Sequence, residues 1–214
     1  MKRKIILNLP AIIFLLAACS SSKIISSWVQ PGILQPTYRH ILVWGILPEK
    51  DNALRSKMET HLVNDLKKKG FAVTAATQVY SDTTFYRLTG DEIVAKFKNT
   101  GVDAVITITL LNKDVEKLYI PPSVSWQPTD DYAHLGRYVA NEMKKVYSPG
   151  YYATSIKYFW QCNLYSVADA KLIYAAKTNS FNPSSKGRQA HEHGLLIIND
   201  MIAKGLITPL PAEE

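Results

Sequence analysis

The chain has 214 residues, with 25 basic and 18 acidic side chains, a formal net charge of +7 and two cysteines. This length suffices for one domain with a hydrophobic core of its own. Three of the positive charges lie in residues 2–4, so the remainder of the chain carries only +4. It shows neither a basic stripe nor a nucleic-acid-binding motif, and we expect no nucleic-acid partner.

Residues 1–18 predict a signal peptide. Lys2, Arg3 and Lys4 precede an apolar run that is too short to span a bilayer and is interrupted by Pro10. The following Leu-Ala-Ala-Cys, residues 16–19, resembles a bacterial lipobox. That resemblance implies cleavage before Cys19 and acylation of Cys19. The alternative is an ordinary signal peptide with a chance cysteine.

The same resemblance predicts where the protein lies. Ser20, directly after the cysteine, resembles the sorting signal of Gram-negative outer-membrane lipoproteins, so we expect a lipid-anchored protein that faces the periplasm. The two or three acyl chains of such a lipoprotein hold it permanently on the bilayer. Residues 19–38 are rich in Ser, Pro and Gly and predict a lipidated N-terminus followed by a tether.

The first half of the remaining chain alternates strands and helices. The apolar run 40–46 predicts a strand buried on both faces, and shorter β-branched runs predict strands at 71–75 and 104–111. Between them, apolar residues at four-residue spacing predict a helix over 51–69. Thr89 and Glu92 have the spacing of a capping box that begins a second helix. Such alternation favours an α/β unit with parallel strands.

The second half predicts an antiparallel hairpin and a last helix. Residues 156–164 alternate apolar and polar side chains, 172–178 return as a partner strand, and 187–204 are helical. Cys162 lies on the apolar side of this alternation, and we expect a buried free thiol. The fold class is therefore α/β: a single domain over residues 39–214, with a mixed sheet and about three helices.

This order of elements resembles a loose group of bacterial lipoprotein domains. The group includes the curli-secretion lipoprotein, the N-terminal domain of the Tol-system propeller protein and outer-membrane activators of peptidoglycan synthases. The residues that carry the resemblance are Arg55, Glu59, Leu62, Leu66, Gly70, the segment 101–106 and the hairpin 168–180. The resemblance implies a non-enzymatic assembly or regulatory role, and it implies no functional residue.

Residues 112–153, between the third strand and the hairpin, predict an aromatic-rich insertion. Long loops on a rigid scaffold often carry function, and Tyr and Trp are enriched in binding hot spots. The candidate partner-binding residues are Tyr119, Trp126, Tyr132, Tyr138, Tyr151 and Tyr152. The alternative is that these rings cover a sheet face or pack against a short helix near residues 135–145.

Catalytic and metal-binding motifs are missing from the sequence. His191 and His193 are two residues apart, so a helix would point them to different faces, and we interpret them as a solvated helix start without metal or cofactor. Parallel sheets bind ligands at the carboxyl ends of their strands. The charged residues expected near those ends are Glu49, Asp51, Lys113, Asp114 and Glu116.

Two functional hypotheses follow. The preferred one is a non-enzymatic module that binds an envelope protein or polymer through the insertion. The alternative is a periplasmic small-ligand-binding protein or enzyme that uses the charged residues at the strand ends.

Overall fold

The structure is a computed structural model that describes residues 22–33, 38–81, 83–120, 134–146 and 150–209. The strands are β1 (Ser22–Val29), β2 (Ile41–Ile46), β3 (Val73–Ala75), β4 (Ala104–Ile120), β5 (Tyr151–Ser166) and β6 (Leu172–Phe181). The helices are α1 (Asn52–Lys67), α2 (Ala76–Val79), α3 (Gly90–Asn99), α4 (Leu135–Val146) and α5 (Lys186–Ala203), with a 3₁₀-helix at Glu49–Asp51. The six strands form one mixed sheet in the order β1-β6-β5-β4-β2-β3.

The parallel half of the sheet confirms the α/β prediction. β2 lies between β3 and β4 and pairs in parallel with both, with Ile41 opposite Val73 on one side and Ala104 on the other. Its residues 41–43 are at most 1% exposed, as expected of a strand covered on both faces. The capping box that begins α3 is also present, since Thr89 and Glu92 exchange hydrogen bonds.

The two faces of the sheet hold separate cores. On one face α1 and α5 pack over alternate strand residues, with Leu62, Ile197 and Trp160 among the fully buried side chains. On the other face a smaller cluster joins Phe97 of α3 to Val105 of β4. α1 and α3 therefore lie on opposite faces of the sheet.

The antiparallel half confirms the predicted hairpin and the buried thiol. β5 and β6 pair antiparallel, with Cys162 opposite Ala176. Cys162 is 1% exposed and lies on the same side as the buried Trp160 and Leu164. Burial raises the pKa of the Cys162 thiol to about 12.

The structure corrects the predicted elements in two places. The described residues form five α-helices instead of about three: the short α2 was not predicted, and a helix near residues 135–145, where α4 lies, was only part of the alternative interpretation of the insertion. The predicted tether, residues 19–38, contains β1, which pairs with β6 at one edge of the sheet. A register shift between Ile24 and Ser26 breaks the alternation of β1, and therefore its sequence did not predict a strand.

Within the described ranges, no helix is long and apolar enough to cross a membrane.

Candidate functional site

Most of the predicted aromatic insertion is a continuation of the sheet as a two-stranded ribbon. β2 pairs with β4 only as far as Thr109, and β6 pairs with β5 only from Lys157 onward. Residues 114–120 and 151–157 pair with each other and, apart from Lys157, with no third strand among the described residues. We call these two segments the arm. Seven residues of strand extend over roughly 20 Å.

Both faces of the arm expose large side chains. Val115, Tyr119 and Tyr152 lie on one face and are 55%, 54% and 69% exposed. Leu118 and Tyr151 lie on the opposite face and are 50% and 64% exposed. The rings of Tyr119 and Tyr152, directly opposite each other across the two strands, have centroids 5.3 Å apart. This ring pair is a preformed apolar surface.

Three of the six predicted partner-binding residues lie on the arm: Tyr119, Tyr151 and Tyr152. Tyr138 lies on α4 and is 39% exposed. Trp126 and Tyr132 lie outside the described residues. These four candidate tyrosines are thus surface residues, and none of them covers the core of the sheet.

The structure does not assemble the charged site predicted at the strand ends. Lys113 and Asp114 are successive strand residues and therefore point to opposite faces; the Lys113 ammonium lies over the Tyr158 ring. Glu116 shares a face with Asp114, which accepts a hydrogen bond from Asn112. Glu49 and Asp51 lie in the 3₁₀-helix before α1. No hydrogen bond or ion pair within the described ranges joins these two to the other three.

A different cavity does lie at the carboxyl ends of parallel strands. The chain leaves β2 toward α1 on one face of the sheet and leaves β3 toward α3 on the other face. Adjacent strands whose connections diverge in this way leave a crevice, which is where open α/β sheets bind ligands. Here the crevice is a cavity of about 250 Å³.

The carboxylate of Glu59 forms the floor of this cavity. One oxygen accepts the Gly45 N–H at 2.8 Å, and the other accepts the Thr77 N–H at 2.8 Å and the Thr77 hydroxyl at 2.7 Å. Glu59 thus bridges the two strand ends where β3 has stopped pairing with β2. Burial raises the pKa of Glu59, although these hydrogen bonds and the charge of Arg55 act in the opposite direction.

Gly45 is required at this position because α1 approaches so closely. A Cβ atom there would lie 2.6 Å from Cγ of Arg55 and 3.2 Å from Oε1 of Glu59. Arg55 and Glu59 are four residues apart on α1 and so share one helix face. Among the described residues that line the cavity, Arg55 and Glu59 are the two with charged side chains.

Aromatic and aliphatic side chains form the walls of the cavity. The ring centroid of Phe85 lies 4.6 Å from that of Trp44 and 4.9 Å from that of Tyr80. Ile46 and Tyr86 lie at the rim and are 43% and 64% exposed. The cavity therefore combines an ionic floor with apolar walls, as small-molecule sites do.

Sequence reasoning missed this cavity, although α1 carries a signal for it. Glu59 lies next to Met58 and three residues before Leu62, within the apolar stripe of the helix. A carboxylate on a buried stripe needs hydrogen-bond partners, and its presence there marks a polar site below the surface.

The two histidines of α5 behave differently from each other. His191 is 46% exposed, and its Nδ1 lies 3.1 Å from Oδ2 of Asp65. His193 is 1% exposed and packs against Trp160, so the predicted solvated helix start is wrong for this residue. The part of the chain that the structure covers holds no cluster of three His, Cys, Asp or Glu residues that could bind a metal ion.

No family model matches the sequence, and no curated protein matches it. Solved structures similar to this chain include the PelC dodecamer from Paraburkholderia phytofirmans and the lipoprotein GNA1162 from Neisseria meningitidis. PelC is 12% identical, covers 90% of this chain and 99% of its own, and has a TM-score of 0.43. GNA1162 is 14% identical, covers 77% of this chain and 99% of its own, and has a TM-score of 0.42.

Proposed function

We propose that this protein is a lipid-anchored, periplasm-facing lipoprotein of the outer membrane that binds an envelope protein or polymer through the arm. In this proposal the protein is not an enzyme. The observation that carries the proposal is the arm itself, a ribbon that extends past the sheet and exposes large apolar side chains on both faces.

Exposed apolar surface favours a binding role for the arm. Tyr119 and Tyr152 pair across the strands, and each exposes more than half of its surface to water. Contiguous apolar surface of this kind marks interaction sites in soluble proteins. Tyrosine adds a large contact area at a small entropic cost, and for this reason it is common in binding hot spots.

The open edges of the arm also favour a partner. A two-stranded ribbon without a third strand is only marginally stable in water. Apart from Ile156, whose N–H and C=O already bond to Asn182, each outer edge presents backbone N–H and C=O groups that an extended chain could pair with. A partner seated on the arm would cover the rings and satisfy these groups at the same time.

Ile156 of the arm packs against the core of the domain, but residues 118–120, 151 and 152 do not. None of residues 111–120 or 151–157 is buried, whereas the buried side chains of β4 and β5 lie at Ala104–Ile108 and from Tyr158 onward. Replacing residues 118–152 with a short Gly/Ser linker should therefore leave a cooperative thermal transition. Loop length changes closure entropy only slowly, which also favours this result.

Photo-crosslinking in cells tests the binding role. A crosslinking amino acid at position 152 should give adducts with a discrete partner, and the same amino acid at position 79 should give none. Val79 is the control because it is 55% exposed and lies outside both the arm and the cavity lining. The partner, identified by mass spectrometry and then purified, should bind the full chain directly.

The paired substitution Tyr119→Ala with Tyr152→Ala should weaken that binding about tenfold or more, as expected for the loss of a hot-spot pair. Val79→Ala should leave the affinity for this partner unchanged. Adducts at position 79 but not at 152 would move the interface away from the arm. Unfolding of the 118–152 replacement would show that the arm belongs to the core.

A further inference from the structure

We propose that α4 lies on the surface of an anionic phospholipid bilayer, with the stripe formed by Leu135, Val139 and Met143 turned toward the acyl chains. This proposal rests on the lipid anchor of the proposed function, because the anchor brings the bilayer to this end of the domain. It does not involve Tyr119 and Tyr152, which the proposed function assigns to an envelope partner.

The stripe is an exposed apolar surface on a helix. Leu135, Val139 and Met143 follow one another at four-residue spacing and therefore share one face of α4. They are 78%, 40% and 59% exposed, and neither hydrophobic core of the described residues contains a residue of α4. The 12 residues of the helix span about 18 Å. The apolar face of an amphipathic helix is stable when something covers it, and the two cores of the domain do not cover this one.

The charge of α4 favours an anionic bilayer as the cover. Its sequence holds three cations, Arg137, Lys144 and Lys145, and one anion, Glu142, for a net charge of +2. An apolar face together with an excess of Lys and Arg is typical of helices that lie in a membrane interface, where phosphates attract the cations and acyl chains cover the apolar face. A second copy of the same helix would cover the stripe less well, because it would bring another net charge of +2 close to the first.

The same end of the sheet carries both the anchor and the arm. One row of paired residues crosses the sheet there, and it consists of Ser22, Ser180, Tyr158 and Lys113. β1 begins in this row, and the arm extends past the row by roughly 20 Å. Cys19 is three residues before Ser22 and lies within roughly 11 Å of the row. A bilayer that holds an acylated Cys19 is therefore at the end of the sheet from which the arm extends.

α4 is held near the tip of the arm. The two strands of the arm end at Ile120 and Tyr151, and α4 lies between them in the chain. Val146, the last residue of α4, precedes Tyr151 by five residues, so the end of the helix stays within roughly 18 Å of the arm. α4 can therefore reach the bilayer that the anchor sets beside the arm. In this arrangement the acyl chains retain the protein on the membrane, and α4 limits how the domain turns about its anchor.

Lipid quenching of a fluorophore tests this contact. The full chain, purified from membranes with its anchor and reconstituted into vesicles, carries the fluorophore NBD on the cysteine of a Val139→Cys variant. The vesicles contain phosphatidylcholine and phosphatidylglycerol in equal amounts, together with a lipid that has a nitroxide on its acyl chain. Cys162 is buried, so the fluorophore enters the introduced cysteine, and wild type treated in the same way gives the background.

The fluorophore at position 139 should be quenched strongly by the nitroxide lipid and weakly by aqueous iodide. Asn141→Cys is the control on the same helix, since two residues of helix turn the side chain by about 200°, and it should show the reverse order. Thr60→Cys, at an exposed position on α1, should show no lipid quenching. Thermal unfolding of each labelled variant confirms that the domain is folded.

Arg137→Gln should lower the ratio of lipid-contacting to free fluorophore at position 139 about fivefold, the effect of removing one cation from an anionic surface. Lys57→Gln removes the same charge from an exposed position on α1 and should leave this ratio unchanged. Vesicles of phosphatidylcholine alone should quench position 139 less than the mixed vesicles do, because they carry no anionic phosphate surface.

Absence of lipid quenching at position 139, equal lipid quenching at positions 139 and 141, or equal quenching in the two kinds of vesicle would overturn the proposal. Protection of position 139 from both the nitroxide lipid and iodide would overturn it too, because a protein partner or a second copy would then cover the stripe. A failed anchor has a different signature: an unmodified Cys19 would take up fluorophore in the wild type as well. Vesicles added to that unanchored protein would still show, by quenching at 139 above the wild-type background, whether α4 binds a bilayer.

Discussion

At the scale of single residues, His193 shows how packing changes the chemistry of a side chain. It is fully enclosed between α5 and the sheet, with its ring centroid 5.7 Å from that of Trp160. Burial lowers the pKa of His193 from 6.5 to about 4, because the imidazolium cation loses its hydration there. His191, two residues earlier, stays exposed beside Asp65. The two histidines differ in exposure because they lie on different faces of α5.

The pKa of His193 predicts a loss of stability in acid. Between pH 6.5 and about 4 the unfolded chain takes up a proton at this residue and the folded chain does not. The neutral His193 side chain therefore contributes up to about 3 kcal/mol to the free energy of unfolding. This contribution is complete above pH 6.5 and is lost as the pH falls toward 4. His193→Phe should remove this part of the pH dependence, as measured by urea unfolding at pH 7, 5.5 and 4.

His134→Asn is the control for that experiment, since His134 is exposed at the start of α4. It should keep the pH dependence of the wild type. An unchanged pH profile in His193→Phe would show that His193 is already hydrated or paired in the folded protein.

At the scale of elements, α3 depends on its capping box for a defined start. The Thr89 hydroxyl accepts the Glu92 N–H, while the Glu92 carboxylate accepts the Thr89 N–H at 2.7 Å. The helix holds Phe97 against the smaller core, which also contains the walls of the cavity. A frayed α3 would therefore loosen both the smaller core and the candidate site.

Thr89→Ala should lower the free energy of unfolding by about 1 kcal/mol, the usual effect of losing an N-cap. Thr60→Ala, at an exposed position inside α1, should change it by less than about 0.5 kcal/mol. Chemical denaturation of both variants measures the difference. Equal effects would show that the box contributes nothing beyond intrinsic helix propensity.

At the scale of the whole molecule, the start of β1 determines how the domain would sit on a membrane. Cys19 and Ser22 are three residues apart, so a lipid anchor at Cys19 lies within roughly 11 Å of the first residue of the sheet. In the proposed lipoprotein, the β1 edge is therefore held close to the bilayer, and no long tether lifts the domain away from it.

Cys19→Ala should give a protein that no longer fractionates with membranes, because the acyl chains supply nearly all of the attachment. Wild-type protein should show the added lipid mass in intact-mass spectrometry. Cys162→Ala is the matched cysteine control and should remain in the membrane fraction. An unmodified Cys19 in the wild type would end the lipoprotein proposal.

Elements with at least one buried face could be predicted from the sequence by itself. β2 has the continuous apolar run of a strand covered on both faces. The β5–β6 hairpin and the capped α3 show the apolar periods that burial of one face imposes, and the alternation that placed Cys162 inside is of the same kind. The arm shows no such period, because both of its faces are exposed and only pairing between its strands defines it. The sequence did not predict β1 for a related reason, because its bulge interrupts the alternation of side chains.

The candidate cavity was decided by tertiary structure alone. Gly45, Glu59 and Thr77 are separated along the chain by 14 and 18 residues, and they meet only because β2 and β3 diverge toward opposite faces of the sheet. Local patterns report whether a residue is buried, but they do not report which distant residue it is buried against. That pairing depends on strand order, and strand order exists only once the whole sheet has formed.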